Sequence, residues 1–377
     1  MNRVVGGFVL AGALTVVVPA PAAAAARAGS SPATWPVTVV AHTTFVGTPA
    51  TLPHSPLVYG VSTPVRGARY GRLTRLDVAT GALTAGPVLP AASKLFSFGS
   101  SLAILSPARS DPRGATTGPW SLRLLRTGTT SPGRAEVLSL PPSPYPPVVT
   151  GGPAIDRQDL WIGSGSSLFL VDAPTGRPIR HERLGPSVTS LSVDPAGKLL
   201  YVAVDEQAGT APPPPGVPPV VVDELDARTG RVLAQTGIRA TTTSLVAVRG
   251  GLWVSLRSGM AGTAVLFRAA HLTRVPTAPA FSPFNETIPT MGAAITMGIA
   301  TNRVSSTVWL VAASGVSCVS PTSGRFRAGM AFTVTAGKWD PFTEWDGHLY
   351  AARTDTGLGP TIVSITPPPS CRPASRR

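Results

Sequence analysis

The sequence predicts an all-β chain, and three observations lead to this prediction. A turn, with a glycine in five of its seven copies, recurs at intervals of 43 to 54 residues, and an apolar pair precedes each copy. Val, Leu and Trp flank short Gly-containing turns, as they do in β-hairpins. No window outside the N-terminal residues has the apolar stripe of a helix. A unit of this length with several strands indicates a propeller blade rather than a helical solenoid.

Both markers of the unit occur seven times, in alternating order. The turn glycines are Gly81, Gly133, Gly176, Gly230 and Gly324, with degraded copies near Thr273 and Cys371. The apolar pairs begin at Leu57, Leu102, Leu160, Leu200, Leu252, Val308 and Leu349. We therefore expect a single seven-bladed β-propeller, with six or eight blades as alternatives.

The two ends of the repeat predict how the ring closes. Residues 43–63 resemble inner strands of a blade, and residues 361–371 resemble an outer strand. One sheet built from both ends would join the termini by hydrogen bonds and leave no blade exposed. The recurring aromatic residues Trp161, Trp253 and Trp309 are expected to pack between blades rather than to form a sugar-stacking surface.

The first residues predict export. Arg3 precedes an apolar stretch from Val4 to Val18, and a run of alanines from Ala22 to Ala26 follows. This is the pattern of a secretory signal peptide, and the apolar stretch is short for a membrane span. We expect a signal peptide at 1–26, a flexible linker at 27–34, the propeller at 35–371 and a disordered basic tail at 372–377. The mature protein is predicted to be extracellular or associated with the cell wall, without a transmembrane segment.

The composition allows a buried core and gives a strongly basic chain. Of the 377 residues, 43% are apolar and 13% are charged, and the net charge is +14. Such a charge attracts anionic polymers, but the Arg residues form no run and are not interleaved with aromatic residues. The predicted partners are therefore an unknown protein or an anionic cell-wall component, and not nucleic acid. We expect a monomer.

The two cysteines, Cys318 and Cys371, are an even number in a chain predicted to be exported. A disulfide between them is one interpretation, and two separate thiols are the other. Four Pro- and Gly-rich insertions are expected to be surface loops. They are 106–120, 141–147, 206–219 and 281–298.

One stretch, KWDPFTEWDGHLY at 338–350, combines acids, aromatic residues and a histidine. If it starts with an innermost strand, Trp339, Asp340, Glu344 and His348 are candidates for a ligand site at the mouth of the central tunnel. Asp340 and Glu344 are four residues apart and would share a face of a regular strand. Two carboxylates there would suit a divalent cation such as Ca²⁺, or acid–base chemistry. The alternative is a strand and an Asp346-Gly347 hairpin turn with solvated acids.

The sequence LYVAVDE at 200–206, followed by VDELDARTGRVLAQ at 222–235, resembles a group of secreted bacterial propellers. This is the YVTN and quinoprotein amine dehydrogenase β-chain-like group, which includes PQQ-like and streptogramin-lyase-like proteins. The resemblance implies the fold. It implies no activity, because the five histidines are isolated, no His/Glu cluster occurs and no adjacent Cys pair occurs.

The sequence therefore favours a secreted propeller that acts as a binding or interaction module, without an organic cofactor. An enzyme of the lyase or lactone-hydrolase type, with a site at the tunnel mouth, is the first alternative. A structural scaffold without a small ligand is the second. No catalytic residue is predicted.

Overall fold

The computed structural model describes most of the chain from Trp35 to Cys371. The described ranges are 35–43, 45–52, 55–63, 68–98, 101–110, 116–125, 128–138, 140–141, 146–151, 159–208, 219–239, 241–258, 261–269, 271–275, 307–312, 315–331, 338–355 and 359–371. At some strand positions, among them Trp339, Asp340 and Glu344, only the backbone is described. The predicted signal peptide, linker and basic tail lie outside these ranges.

Twenty-seven strands and one 3₁₀ turn make up the described regular structure. The first nine strands are β1 (Val37–Ala41), β2 (Val46–Thr51), β3 (Leu57–Ser62), β4 (Tyr70–Asp77), β5 (Leu83–Pro90), β6 (Lys94–Phe98), β7 (Ser101–Ser110), β8 (Thr116–Leu125) and β9 (Pro132–Leu138). The next eight strands are β10 (Val148–Gly151), β11 (Asp159–Ser164), β12 (Ser167–Asp172), β13 (Arg177–Arg183), β14 (Ser187–Val193), β15 (Leu199–Asp205), β16 (Val220–Asp226) and β17 (Val232–Ile238). The rest are β18 (Thr241–Val248), β19 (Gly251–Ser258), β20 (Ala261–Arg268), β21 (Thr273–Arg274), β22 (Val308–Ala312), β23 (Gly315–Val319), β24 (Phe326–Ala331), β25 (Lys338–Trp345), β26 (His348–Asp355) and β27 (Gly359–Ile365), followed by the turn Pro369–Cys371.

These strands form seven antiparallel sheets arranged as the blades of a β-propeller. Sheets 1 to 5 are β2–β5, β6–β9, β10–β13, β14–β17 and β18–β21. Sheet 6 has three described strands, β22–β24, and sheet 7 has the order β25-β26-β27-β1. The predicted all-β, seven-bladed fold is confirmed.

Closure of the ring depends on β1. This N-terminal strand pairs with β27 as the outermost strand of sheet 7, with Val37 opposite Ile365 and Val39 opposite Val363. The predicted joining of the chain ends is confirmed. The strand that closes the ring lies before the inner-type stretch, in a segment that the sequence analysis did not single out.

The turn glycines of the repeat allow a tight connection between the third and fourth strands of a blade. Gly230 has a φ of 69°, a conformation that L side chains rarely adopt. Its N–H donates to the Asp226 carbonyl at 2.8 Å, and Asp226 Oδ1 accepts from the N–H of Thr229 at 2.7 Å. A β-carbon at Gly230 would also meet Glu182 Cγ, on the outer strand of the preceding blade, at 3.0 Å. The glycine therefore serves both the turn and the packing of neighbouring blades.

One predicted turn glycine is misplaced. Gly133 lies inside β9, and the residue with positive φ in that connection is Gly128, at 79°. Sheet 2 also corrects a predicted loop, because most of 106–120 continues β7 and β8 as a long hairpin. Pro107 is tolerated there because the register shifts between Pro107 and Arg109, where a bulge needs no regular ladder bond.

The core consists of seven clusters of buried side chains, and each cluster joins two neighbouring blades. Six of the seven predicted apolar pairs lie in the second strand of their sheet, and the pair at Val308 begins β22, the first described strand of sheet 6. Trp161, Trp253 and Trp309 are each 0% exposed, which confirms packing and excludes a sugar-stacking surface. Trp161 Nε1–H donates to the Ala227 carbonyl in the next blade at 3.0 Å, and Trp253 Nε1–H donates to the Pro321 carbonyl at 2.8 Å.

A disulfide joins Cys318 in β23 to Cys371 after β27, with the Cα atoms 5.6 Å apart. The predicted pairing is confirmed. The disulfide lies in the cluster where Trp35 packs edge-on against Trp309, with ring centroids 6.1 Å apart. It therefore ties sheet 6 covalently to the segment that follows β27, in the cluster that also contains Trp35.

Candidate functional site

The first strands of neighbouring blades approach each other around the central channel. Each such strand is paired on one side only, so its other backbone edge is open. Two serines of β14 cover part of this edge in the next blade. Ser190 Oγ accepts from the Leu245 N–H at 3.1 Å, and Ser192 Oγ accepts from the Ala247 N–H at 2.9 Å.

The antiparallel order gives the ring two different faces. The long-loop face, as we define it, carries the connections from second to third strand and from one blade to the next. The turn face carries the remaining connections. The insertions 141–147 and 206–219 and the tip of the long hairpin at 106–120 are flanked by strand ends at the long-loop face, and the described innermost strands also begin there. The insertion 281–298 lies outside the described residues. The Glu206 N–H donates to the Pro219 carbonyl at 3.1 Å, so the ends of the 206–219 insertion are held together.

Lys94 begins the innermost strand β6 on the long-loop face. Its side chain is exposed to water, yet burial by surrounding protein atoms lowers the pKa of its ammonium group. Because Lys94 begins an innermost strand, it lies at the rim of the central channel. Lys94 makes no ion pair with another described residue, so its charge is available to an anionic ligand.

Blade 4 holds two acids with raised pKa values. Asp223 in β16 is 4% exposed, and burial raises the pKa of its carboxyl to about 6, which Gln235 opposes and the Glu206 charge reinforces. Gln235 Nε2–H donates to Asp223 Oδ1 at 2.8 Å. Burial, and then the charge of Asp205, raises the pKa of Glu206 at the start of the insertion. A carboxyl with a pKa of about 6, as at Asp223, can hold or exchange a proton near neutral pH.

The structure separates the residues of the predicted tunnel-mouth site. Trp339 and Asp340 lie near the start of β25, on the long-loop face, whereas His348 begins β26 at the turn face. Asp346 and Gly347 form the hairpin turn between them, with φ values of 48° and 73°. His348 Nδ1 lies 3.1 Å from Thr366 Oγ1. The ligand-binding role of these residues stays a prediction.

A bulge changes the relation of Asp340 to Glu344. Asp340 lies opposite Ala352 and Glu344 lies opposite Leu349, because the register shifts between Pro341 and Thr343. The partners are three positions apart on a strand that pairs regularly with β27. The two acid positions therefore do not share one face of the sheet, as they would in a regular strand.

Sequence reasoning missed Lys94, Glu206 and Asp223. Lys94 carries no local signal, because its place follows from the ring. Asp223 had a usable signal, since two adjacent acids, Asp223 and Glu224, interrupt the apolar strand VVVDELD. An acid inside such a strand is a candidate for burial with a perturbed pKa.

Among the described side chains, no three from His, Cys, Asp or Glu come together as a metal site requires. The side chains of Asp340 and Glu344 are not among them, so the Ca²⁺ site there stays a prediction. Within the described ranges no helix is long and apolar enough to span a membrane.

Comparison with solved structures finds other propellers at low sequence identity. A chain of the mitotic checkpoint complex aligns with 97% of this chain and 100% of its own length, at a TM-score of 0.56 and 11% identity. The WD40 domain of coronin from Toxoplasma gondii aligns with 92% of this chain and 91% of its own, at 0.56 and 10% identity. The Dos1 propeller aligns with 82% of this chain and 75% of its own, at 0.54 and 13% identity. These similarities show the fold alone.

The sequence comparisons are negative. No protein-family model matches the sequence, and no curated protein matches it either. The resemblance to the YVTN and quinoprotein amine dehydrogenase β-chain-like group therefore stays a prediction beyond the propeller fold itself.

Proposed function

We propose that this protein is an exported binding module that recognises its partner with the long-loop face. One observation carries the proposal: three of the four insertions, 106–120, 141–147 and 206–219, are flanked by strand ends at the face on which the channel opens with Lys94 and Glu206. Insertions on one face of a rigid ring are how such scaffolds build binding surfaces. The turn face, by contrast, has mostly short connections. In several blades such a connection is a turn that begins with Asp and contains a Gly of positive φ.

Export is part of the proposal and rests on residues 1–26. The disulfide Cys318–Cys371 supports it, because such bonds persist in oxidising compartments. A location at the cell envelope and a monomeric state are proposed with it.

Photo-crosslinking tests which face binds. A benzoylphenylalanine would replace Pro186 or Arg239, both exposed on the long-loop face, or Ala79 or Pro174, both exposed on the turn face. Irradiation in the cells that produce the protein is expected to give a discrete crosslinked band from the first pair. Equal yields from both pairs, or a band from the turn face alone, would contradict the proposal.

Catalysis is a second candidate, favoured by the raised pKa of Asp223, a buried carboxyl in the third strand of sheet 4. A carboxyl with a pKa of about 6 is suited to general acid or base chemistry near neutral pH. Incubation with simple γ- and δ-lactones tests the lactone-hydrolase form. Turnover that Asp223→Asn abolishes would support it, and turnover that survives the substitution would exclude this acid.

A further inference from the structure

The positive charge of the chain is concentrated in one part of the ring. Residues 227–339 contain eleven Lys and Arg and one acid, Glu286, for a net charge of +10 out of +14. The remaining acids lie at 77–226 and 340–355. The asymmetry comes from the absence of acids rather than from a basic run, so a search for basic runs does not find it.

The described residues of this segment lie in sheets 5 and 6, in the last turn and outer strand of sheet 4 and, for Lys338, at the start of β25 in sheet 7. The described residues of sheets 5 and 6 include no Asp or Glu. Several of their basic side chains lie on or beside connections of the turn face, opposite the proposed partner site. Those exposed there, with their neighbours in sheet 4, are Lys198, Arg228, Arg231, Arg249, Arg268 and Arg325.

Backbone contacts hold these turns next to one another. Within sheet 5, the Ala269 N–H donates to the Gly250 carbonyl at 3.2 Å, which puts Arg249 and Arg268 on adjacent turns. The bond between Trp253 Nε1 and the Pro321 carbonyl, 2.8 Å long, fixes the Arg325 turn of sheet 6 against sheet 5. The Ala247 N–H donates to Ser192 Oγ. Both residues lie near the ends of their strands, so this bond brings the turn that carries Arg249 close to the turn that carries Lys198.

The two acids on this side of sheet 4 are occupied by their own turns. Asp194 Oδ1 accepts from the N–H groups of Lys198 and Leu199, at 2.6 and 2.7 Å. Asp226 Oδ1 accepts from the Arg228 and Thr229 N–H groups, at 3.1 and 2.7 Å. Arg249, Arg268 and Arg325 form no ion pair with a described residue, so their guanidinium groups are available.

We propose that this basic turn face, defined by Lys198, Arg228, Arg231, Arg249, Arg268 and Arg325, binds a linear polyanion with repeated phosphate or carboxylate groups. Guanidinium forks match both anions, and single charges on successive turns match a polymer whose charges are spaced along its length. The exposed large apolar side chains next to this face, Val232 after Arg231 and Phe326 after Arg325, lie on the last strands of sheets 4 and 6, whereas the described residues of sheet 5 between them present charge without an apolar anchor for a protein partner.

The test measures binding of the full chain to inorganic polyphosphate and to poly-L-glutamate at physiological ionic strength. The triple variant Arg249→Ala/Arg268→Ala/Arg325→Ala removes charges from the basic turn face. The matched control is Arg134→Ala/Arg177→Ala/Arg183→Ala, which removes three exposed charges from the acid-containing blades. Arg177 is the close counterpart of Arg325, since each follows the turn glycine of its blade.

The wild-type chain is expected to bind at least one polymer, with an affinity that falls as salt rises. The site variant should bind about a hundred-fold more weakly, at about five-fold for each charge removed, while the control changes little. The polymer that binds more tightly identifies the anionic group. Equal losses in both variants, tighter binding to duplex DNA, or no binding to either polymer would overturn the proposal. Crosslinking at Pro186 and Arg239 tests the other face, so the two proposals can fail separately.

Discussion

Single residues decide how each blade turns and how its charges behave. Gly81, Gly176, Gly230 and Gly324 have φ values between 67° and 74°, so each occupies a backbone conformation that disfavours a side chain. This constraint is local, and it explains why the glycine remains visible in a repeat whose other positions vary. Asp223 is the opposite case. Its unusual pKa arises from the burial that neighbouring strands impose.

Asp223 is expected to make stability fall as pH rises from about 4 to about 6. Its pKa is about 6 in the folded protein against 3.8 ordinarily, so the folded state binds this proton more tightly than the unfolded state. The free energy of unfolding should therefore decline by about 3 kcal/mol across this window, relative to Asp223→Asn. Urea unfolding of both proteins at pH 4 and pH 7 measures the difference. A difference that does not change with pH would contradict the burial of an ionisable group.

At the scale of elements, the blades are held together by side chains that cross from one sheet to the next. Trp161 and Trp253 each fill such an interface and donate to a turn carbonyl of the following blade. Ser190 and Ser192 bond to the open edge of β18. These contacts join residues more than 50 positions apart, so they depend on the ring being assembled.

Trp161→Phe keeps most of the buried ring but removes the donor to the Ala227 carbonyl. Leaving that acceptor without a partner should cost about 1–3 kcal/mol. Trp161→Ala also opens a cavity and should cost about 3–5 kcal/mol. Chemical denaturation of both variants measures these losses. Tyr70→Phe, at a residue that is 63% exposed, is the control and should stay within about 0.5 kcal/mol of the wild type. An unchanged Trp161→Phe variant would show that the bond contributes nothing.

At the scale of the whole molecule, two devices keep the ring closed: the β1–β27 pairing and the Cys318–Cys371 disulfide. A chain that begins at Trp35 should keep its stability, whereas one that begins at His42 lacks β1 and should lose cooperative unfolding. Cys318→Ser/Cys371→Ser should cost about 4 kcal/mol, the chain-entropy value for a loop of this length. Thermal and urea unfolding measure all three. Equal stability of the two truncated chains would show that β1 does not close the ring.

The fold was predictable because its signals are local and repeated. The apolar pairs and most turn glycines could be read without knowing which blades touch. The prediction failed at Gly133 and at 106–120, where a bulge let Pro107 remain in a strand. The candidate site was harder to predict from the sequence. A bulge shifts the register between Asp340 and Glu344, and the hairpin turn places His348 at the other face of the ring.

The sequence by itself determined the strands, their grouping into seven units and the uneven distribution of charge, because each depends on the order of residues along the chain. Only the tertiary structure decided that Lys94 stands at the channel mouth, that Asp223 is buried, and that six basic residues share the turn face. Those properties depend on distances between blades, and closure of the ring sets these distances.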